Sequence, residues 1–244
     1  MKQSDFTILS NTRLTQSVCQ MVLQGDTSAI TAPGQFVNLR LTGKFLRRPI
    51  SVCDCAGDTL TLVYKIVGHG TEQLSQMTHG RLDLLTGLGN GYTLDGCGQK
   101  PVLIGGGVGV PPMYYLAKQL LARGVTPQVI LGFNTASEIF YDGEFRALGC
   151  PVTVTTVDGS RGLRGFVTDA LSAMDYTYFY ACGPEPMLKA VFRASKTSGQ
   201  MSFEERMGCG FGACMGCSCK TVTGYKRIYK DGPVLKKEEI LWEA

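Results

Sequence analysis

Pro101-Val-Leu-Ile-Gly-Gly-Gly-Val-Gly-Val-Pro-Pro112 decides the fold. An apolar strand runs straight into glycines. The two prolines then open a helix over 113–123, because the first helical turn has no use for the N–H that proline lacks. Gly124 closes that helix. Glycines let the backbone come close to a pyrophosphate, and the helix N-terminus adds free N–H groups and the positive end of its dipole. A glycine cluster alone is also compatible with a tight strand-to-helix turn that binds nothing, so its surroundings decide.

Downstream, the pattern alternates: a strand at 128–133, a helix at 142–148, a strand at 151–157, a helix at 167–173, a strand at 176–181 and a helix from 183 to about 196. Alternating strands and helices predict a parallel, doubly wound sheet. The glycine cluster is then its first strand-to-helix turn, which favours a dinucleotide. Ala181-Cys-Gly-Pro-Glu-Pro-Met187 follows the last of these strands. Ligands of open α/β sheets bind beyond the carboxyl ends of the strands. Cys182 and Gly183 are therefore expected to face the same crevice as Gly105, Gly106, Gly107 and Gly109. The plain alternative is a buried strand-end cysteine ahead of a proline-started helix.

Upstream, residues 1 to about 97 read as short strands at 6–9, 18–23, 35–41, 50–53 and 59–67. Gln24-Gly-Asp26, Ala32-Pro-Gly34 and Ala56-Gly-Asp58 divide them. That spacing predicts a small closed antiparallel barrel. A first helix is expected at 71–77, with Thr71 as its N-cap. Arg47-Arg-Pro-Ile-Ser51 joins barrel strands, and an arginine beside a hydroxyl can hold phosphate; a solvated surface pair is the simpler alternative. Gly68-His-Gly-Thr71 leads into the helix and would offer amides to the same phosphate. The chain has only 2 histidines, His69 and His79, both read as loop residues, so no histidine acid–base chemistry is expected. Flexible connections are expected at 43–48 and 199–205.

Near the C-terminus stands Met207-Gly-Cys-Gly-Phe-Gly-Ala-Cys-Met-Gly-Cys-Ser-Cys219. Cys209, Cys214 and Cys217 have the C-x4-C-x2-C spacing that begins the plant-type [2Fe–2S] ligand set. Thiolate is the soft donor that iron–sulfur units select, and the interleaved glycines allow a loop to wrap a small ion. A zinc site would more often pair its cysteines in two separated halves; inert buried thiols are the other alternative. A two-iron cluster needs a fourth ligand, and no cysteine follows Cys219, so Cys219 itself is the remaining candidate. Cys19, Cys53, Cys55, Cys97 and Cys150 read as small buried hydrophobes.

Composition bounds these readings. Hydrophobic residues at 44% and charged ones at 18% favour packed structure over disorder, and 244 residues suffice for two modest domains and a tail. The net charge of +4 is mild and its basic residues are scattered, so no nucleic-acid partner is expected. No apolar run approaches the roughly 18 residues of a membrane span, and the start, MKQSDFTILS, is too polar for a signal peptide. With 10 cysteines and no such signal, the reduced cytoplasm is the expected location.

Taken in order, the Arg-Pro-Ile-Ser turn, Gly-Gly-Gly-Val-Gly-Val-Pro-Pro and Cys-Gly-Pro-Glu-Pro-Met resemble the ferredoxin–NADP reductase superfamily. The cysteine loop and Lys230-Asp-Gly-Pro-Val234 narrow the resemblance to the electron-transfer subunits of type B dihydroorotate dehydrogenase. The likeness spans nearly the whole chain. It implies a multi-domain α+β and α/β chain: an antiparallel FAD-binding β-barrel over 1–98, a parallel α/β NAD-binding domain over 99–198 and a small C-terminal [2Fe–2S] segment over 199–244. It implies FAD held by Arg48, Pro49, Ile50 and Ser51, by the strand Val63, Tyr64 and Lys65, and by Gly70 and Thr71. It implies NAD on Gly105–Gly109 and Gly183, with Cys182 near the nicotinamide. It also implies electron transfer between NADH, FAD, the cluster and an FMN-containing catalytic partner in a heterotetramer.

This sequence departs from the family's pattern at Tyr229, which stands where the fourth cluster cysteine is expected. Three outcomes are open: Cys219 replaces it as ligand, the Tyr229 phenolate ligates, or the cluster is absent or labile. Two other functions stay open on the residues. One is the reductase subunit of another ferredoxin or NAD(P)H complex. The other is a nucleotide-binding scaffold or redox-sensing subunit with a decayed cluster site.

Overall fold

A computed structural model describes residues 1–242. The last two residues of the segment expected at 199–244 lie outside the described residues.

The first unit is a closed six-stranded antiparallel barrel. Its strands are β1 (Lys2–Arg13), β2 (Val18–Gln24), β3 (Phe36–Leu39), β4 (Arg48–Ala56), β5 (Thr59–Lys65) and β6 (Arg81–Leu88), in the order β1-β2-β5-β4-β3-β6. Period-two alternation explains the closure: Phe6, Met21, Leu23, Val37, Leu39, Leu60, Leu62 and Leu84 all turn inward and are fully buried. The expected strand set lacked β6. Its signal was present in the alternation of Leu82, Leu84, Thr86 and Leu88, all of them buried.

The single barrel helix, α1 (His69–Ser75), starts two residues before the expected position. Gly68 is its N-cap, and Thr71 lies inside the first turn. The Thr71 hydroxyl folds back, accepting from the N–H groups of Val67 at 2.9 Å and Gly68 at 3.3 Å. Thr71 therefore stabilises the helix start from within it rather than capping it from outside.

The second unit is a seven-stranded sheet in the order β10-β9-β8-β7-β11-β12-β15, the last strand being Val234–Lys236. Its elements are β7 (Pro101–Gly106), α2 (Val110–Ala122), β8 (Gln128–Phe133), α3 (Asp142–Ala147), β9 (Val152–Thr156), β10 (Leu163–Arg164), α4 (Val167–Ser172), β11 (Tyr178–Cys182), α5 (Glu185–Ala194) and β12 (Gly199–Ser202). These strands are parallel, and the order reverses between β7 and β11. The helix α2 begins three residues earlier than expected and takes both prolines into its first turn.

The connection expected to be flexible at 199–205 contains a strand instead. β12 pairs with β11 from Phe179↔Gly199 to Cys182↔Ser202, with Gly199 packed under the Phe179 ring. The chain then leaves the sheet as the cysteine loop, the hairpin of β13 (Ser218–Thr221) and β14 (Gly224–Arg227), and the short α6 (Ile228–Asp231). It returns as β15 (Val234–Lys236), antiparallel to β12. The C-terminal segment is thus stitched into the α/β sheet on both sides of the cysteine loop. Asn90, after the barrel, fixes the return: its Nδ2 donates to the Val234 carbonyl at 2.7 Å, and its Oδ1 accepts from the Val234 N–H at 3.1 Å.

One apolar core joins barrel and sheet. Cys53 and Val63 on the outer face of β4 and β5 pack with Val110, Met113, Leu116 and Leu120 of α2. Beside them the Lys118 ammonium meets the Asp54 carboxylate at 2.7 Å, both half-buried. The pair orients α2 on the barrel, and the apolar contact carries most of the stabilisation.

Candidate functional site

The first feature is a parting between two barrel strands. The β4–β5 ladder runs from Ala56↔Thr59 to Val52↔Leu62 and stops. Beyond it, Arg48–Ser51 pair only with β3, from Phe36↔Ser51 to Leu39↔Arg48. On the other side, Val63, Tyr64 and Lys65 pair only with β2. The residues expected at FAD therefore line the two lips of a cleft whose facing backbone edges are unpaired.

Side chains define what the cleft can offer. Tyr64 points into the barrel, where its hydroxyl donates to Asn11 Oδ1 at 3.0 Å, and Val63 points into the core shared with α2. This lip presents backbone and the exposed Lys65. Arg48 lies against the start of α1: a Cβ at Gly70 would stand 2.3 Å from Arg48 Nε. Among the described residues no carboxylate pairs with Arg48, whose Nη1 donates to the Leu46 carbonyl at 2.5 Å. Its neighbour Arg47 is committed, forking onto Asp83 with two bonds of 2.9 Å. Arg47 is thus a barrel staple, and neither a phosphate ligand nor a solvated charge. A guanidinium with no carboxylate partner, set against a glycine at a helix start, fits a diphosphate, and the open lips fit a flat ring. The Thr71 hydroxyl is spent on the helix start, so only its backbone remains for a ligand.

The second feature sits where the strand order reverses, which is where open α/β sheets bind their ligands. Gly105 and Cys182 are register partners on β7 and β11. A Cβ at Gly109 would lie 2.1 Å from the Cys182 carbonyl oxygen, so only glycine permits this contact. Gly106 and Gly183 both pack on Met187 of α5, with would-be Cβ distances of 2.4 and 2.5 Å. Gly107 turns the chain at φ 52°. These glycines bring two strand ends and the first turns of α2 and α5 into one crevice, which fits a dinucleotide. Burial pushes the Cys182 thiol up to about 12, despite a hydrogen bond from Ser202 that works the other way. At neutral pH it is a thiol and not a nucleophile.

The third feature is the cysteine loop. Cys209 and Cys214 come together: the Cys214 N–H donates to Cys209 Sγ at 3.3 Å, and Cys214 Sγ lies 3.2 Å from a would-be Cβ at Gly208. Gly210 and Gly212 hold left-handed φ values of 75° and 86°, which aim successive amides inward. Burial opposes ionisation of Cys209, but the N–H groups of Cys214, Phe211 and Gly212 outweigh it and bring its thiol down to about 6. A preformed thiolate nest fits a cationic iron unit.

The remaining sulfurs lie deeper. Cys217 is buried with Phe36, Leu88, Ile228 and Tyr229, and Cys219 packs on the edge of that cluster. Among the described residues, no three Cys, His, Asp or Glu side chains converge closely enough to hold a metal ion. Tyr229 is occupied: its hydroxyl donates to the Glu205 carbonyl and accepts from the Glu205 N–H at 3.0 Å. Its ring stands edge-on to Phe36 at 5.4 Å. Burial pushes the Tyr229 phenol up to about 12. Burial, then the Glu205 charge, also raises the Cys219 thiol. Cys219 lines a groove of about 450 Å³ with Glu204, Glu205 and Trp242.

Asn38 was missed by the sequence reading. It is fully buried on the outer face of β3, and neither atom of its amide has a hydrogen-bond partner. A Cβ at Gly210 would lie 2.5 Å from Asn38 Nδ2, while Asn38 is the register partner of Pro49. One residue therefore touches both the cysteine loop and the strand that forms one lip of the cleft. Its only sequence signal was a polar residue inside the apolar run Gln35–Leu41.

Comparison with known proteins identifies the family. Residues 204–241 match the family described as the iron-sulfur cluster binding domain of dihydroorotate dehydrogenase B, and residues 103–193 match the oxidoreductase NAD-binding domain. A relative from Geobacillus sp. (strain WCH70), named dihydroorotate dehydrogenase B (NAD(+)), electron transfer subunit, is 42% identical, covering 99% of this chain and 99% of its own. Among solved structures, a chain from an NADH-dependent reduced ferredoxin–NADP oxidoreductase, described for flavin-based electron bifurcation, superposes with a TM-score of 0.88. It is 28% identical, covering 97% of this chain and 90% of the other. A ferredoxin–NADP+ reductase from Neisseria gonorrhoeae, with bound FAD and NADP, shares the fold at a TM-score of 0.68. It is 22% identical, covering 80% of this chain and 90% of its own.

Proposed function

We infer the function from one premise: this chain belongs to the family of dihydroorotate dehydrogenase B electron-transfer subunits. It is an oxidoreductase subunit that moves electrons between NAD(H), FAD and a [2Fe–2S] cluster. FAD supplies the exchange between hydride and single-electron chemistry, and the cluster supplies a one-electron relay.

The protein's own residues bind and position. Arg48 and the amides around Gly70 and Thr71 hold the FAD diphosphate, while Pro49, Ile50, Ser51 and the backbone of Val63, Tyr64 and Lys65 flank its ring. Gly105, Gly106, Gly107, Gly109 and Gly183 admit the dinucleotide. Cys182, a neutral thiol at the end of β11, packs beside the nicotinamide and fixes its approach. No side chain acts as a general base. Cys209, Cys214 and Cys217 are three cluster ligands. Cys219 is the fourth, because the Tyr229 phenol is engaged by Glu205 and held neutral by burial.

The partner is the FMN-containing catalytic subunit that oxidises dihydroorotate, in a two-plus-two heterotetramer in the cytoplasm. No helix among the described residues is long and apolar enough to cross a membrane.

The observation that carries this reading is the position of Asn38, whose neighbours are Pro49 at the cleft and Gly210 in the cysteine loop. On this reading the FAD and cluster sites are neighbours within one chain. Mixing this chain with the FMN subunit should produce dihydroorotate-dependent NAD+ reduction that neither chain shows alone. A mixture no more active than the separate chains would refute the partner assignment. The likeness to the bifurcating reductase favours a second reading, with a ferredoxin as electron acceptor; reduction of ferredoxin but not of the FMN subunit would select it.

A further inference from the structure

Asn38 has a role that the binding motifs do not account for. Its amide carries two N–H donors and a carbonyl acceptor, is wholly buried, and has no partner on either atom. Buried polar groups in folded proteins are almost always hydrogen-bonded, and an exception calls for a ligand, ion or water to complete it.

The neighbours of Asn38 say which. Its strand mates Val37 and Leu39 point into the barrel core, so Phe36 and Asn38 face outward. Phe36 packs on Cys217 and Tyr229, placing the outer face of β3 under the cysteine segment. A Cβ at Gly210, the residue after Cys209, would stand 2.5 Å from Asn38 Nδ2 and 2.7 Å from Met207 Sδ, so the amide reaches the cysteine loop only because this position is glycine. The backbone of Asn38 is held on both sides, by pairing to Pro49 and Leu85. A bond of 3.2 Å from Arg47 to its carbonyl adds a third restraint. The backbone that carries this amide is therefore held in place.

We propose that the Asn38 side-chain amide donates a hydrogen bond to a sulfur of the iron–sulfur unit held by Cys209, and so sets that unit's reduction potential. The inference rests on the cluster reading above and adds a residue outside the cysteine motif. An N–H directed at sulfur favours the reduced form, which carries one more negative charge. Removing it makes the cluster harder to reduce. Because the donor comes from the barrel strand beside Pro49, the same bond fixes the cysteine loop against the FAD lip.

The test is an EPR-monitored redox titration of the full chain and of Asn38→Leu, which keeps the size and removes the donor. Iron, sulfide and FAD are counted on each sample. The expected result is unchanged iron and FAD, with a cluster midpoint moved to lower potential. At the wild-type midpoint, the fraction of cluster reduced should fall several-fold. An unchanged cluster midpoint with full iron would overturn the proposal while leaving the cluster reading intact. A shifted flavin midpoint with the cluster unmoved would also overturn it. Absence of iron from the wild-type chain would overturn both readings. Asn38→Asp, which is isosteric, covers failure of the leucine variant to fold. It replaces a donor by a negative charge and should lower the midpoint in the same direction.

Discussion

The backbone of Gly109 touches the backbone of Cys182: a Cβ on the glycine would lie 2.1 Å from the cysteine carbonyl oxygen. The glycine loop after β7 and the end of β11 therefore close on each other at the point where the sheet reverses its order. Gly109→Ala should force these two elements apart. A misplacement of about 1 Å can cost on the order of 100-fold in rate. NADH-driven flavin reduction, followed by stopped flow, should slow by about 10-fold or more, with FAD content unchanged. Reduction at the wild-type rate would show that this contact does not shape the nicotinamide crevice.

Arg48 is predicted to hold FAD without holding the fold. It has no carboxylate partner among the described residues, so Arg48→Ala should leave the melting temperature of flavin-free protein close to wild type. A charge-assisted hydrogen bond contributes about 1.5–3 kcal/mol, so FAD affinity should fall about 10- to 100-fold. Gly70→Ala should act similarly, since its methyl group would meet Arg48 Nε at 2.3 Å. Fluorescence titration of FAD measures both variants. The matched substitution Arg47→Ala should instead destabilise the barrel, because it breaks the fork onto Asp83.

Tyr229 and Cys219 separate cleanly by variant. Tyr229→Phe removes the two bonds to Glu205 and keeps the edge contact with Phe36, so it should cost about 1–3 kcal/mol in urea unfolding and retain full iron. Cys219→Ser should lose iron and sulfide with little change in stability. A Cys219→Ser protein that keeps full iron would rule out its ligand role, and loss of iron in Tyr229→Phe would point to the phenol.

Much of this arrangement was legible in the residues. The strand-to-glycine-to-proline run at Pro101–Pro112 announced the parallel sheet, and the cysteine spacing announced the loop. Other parts depended on contacts that spacing does not encode. β12 read as a linker because Gly199-Gln-Met-Ser202 is short and glycine-led, and only pairing with β11 makes it a strand. β6 alternates plainly in Leu82, Leu84, Thr86 and Leu88, a signal as clear as that of the other barrel strands. The commitments of Arg47 to Asp83 and of Thr71 to its own helix depend on partners that local sequence cannot identify. Asn38 shows the same limit: its meaning lies in Gly210, which is distant in the chain and adjacent in space.

Nucleotide preference gives a fourth expectation. The segment after β8, Phe133-Asn-Thr-Ala-Ser-Glu138, has no arginine for a 2′-phosphate, and Glu138 accepts from the Asn134 side chain at 3.0 Å. On the neighbouring loop Arg161 is drawn to Asp142 at 2.9 Å. NADH should therefore support reduction at lower concentration than NADPH. Asp142→Asn, which frees Arg161, should narrow that difference. Steady-state KM values for both nucleotides check each point, and a lower KM for NADPH in the wild-type chain would contradict the first.

The most direct measurement is an EPR spectrum of the anaerobically purified chain after addition of NADH, with iron counted on the same sample. The account predicts a reduced two-iron signal with about two irons per chain, because one chain carries the NAD-binding domain and the iron–sulfur segment, and Asn38 joins the cleft strand to the cysteine loop. Flavin bleaching with no iron signal would contradict it, since NADH would then reach FAD and the route onward would be missing.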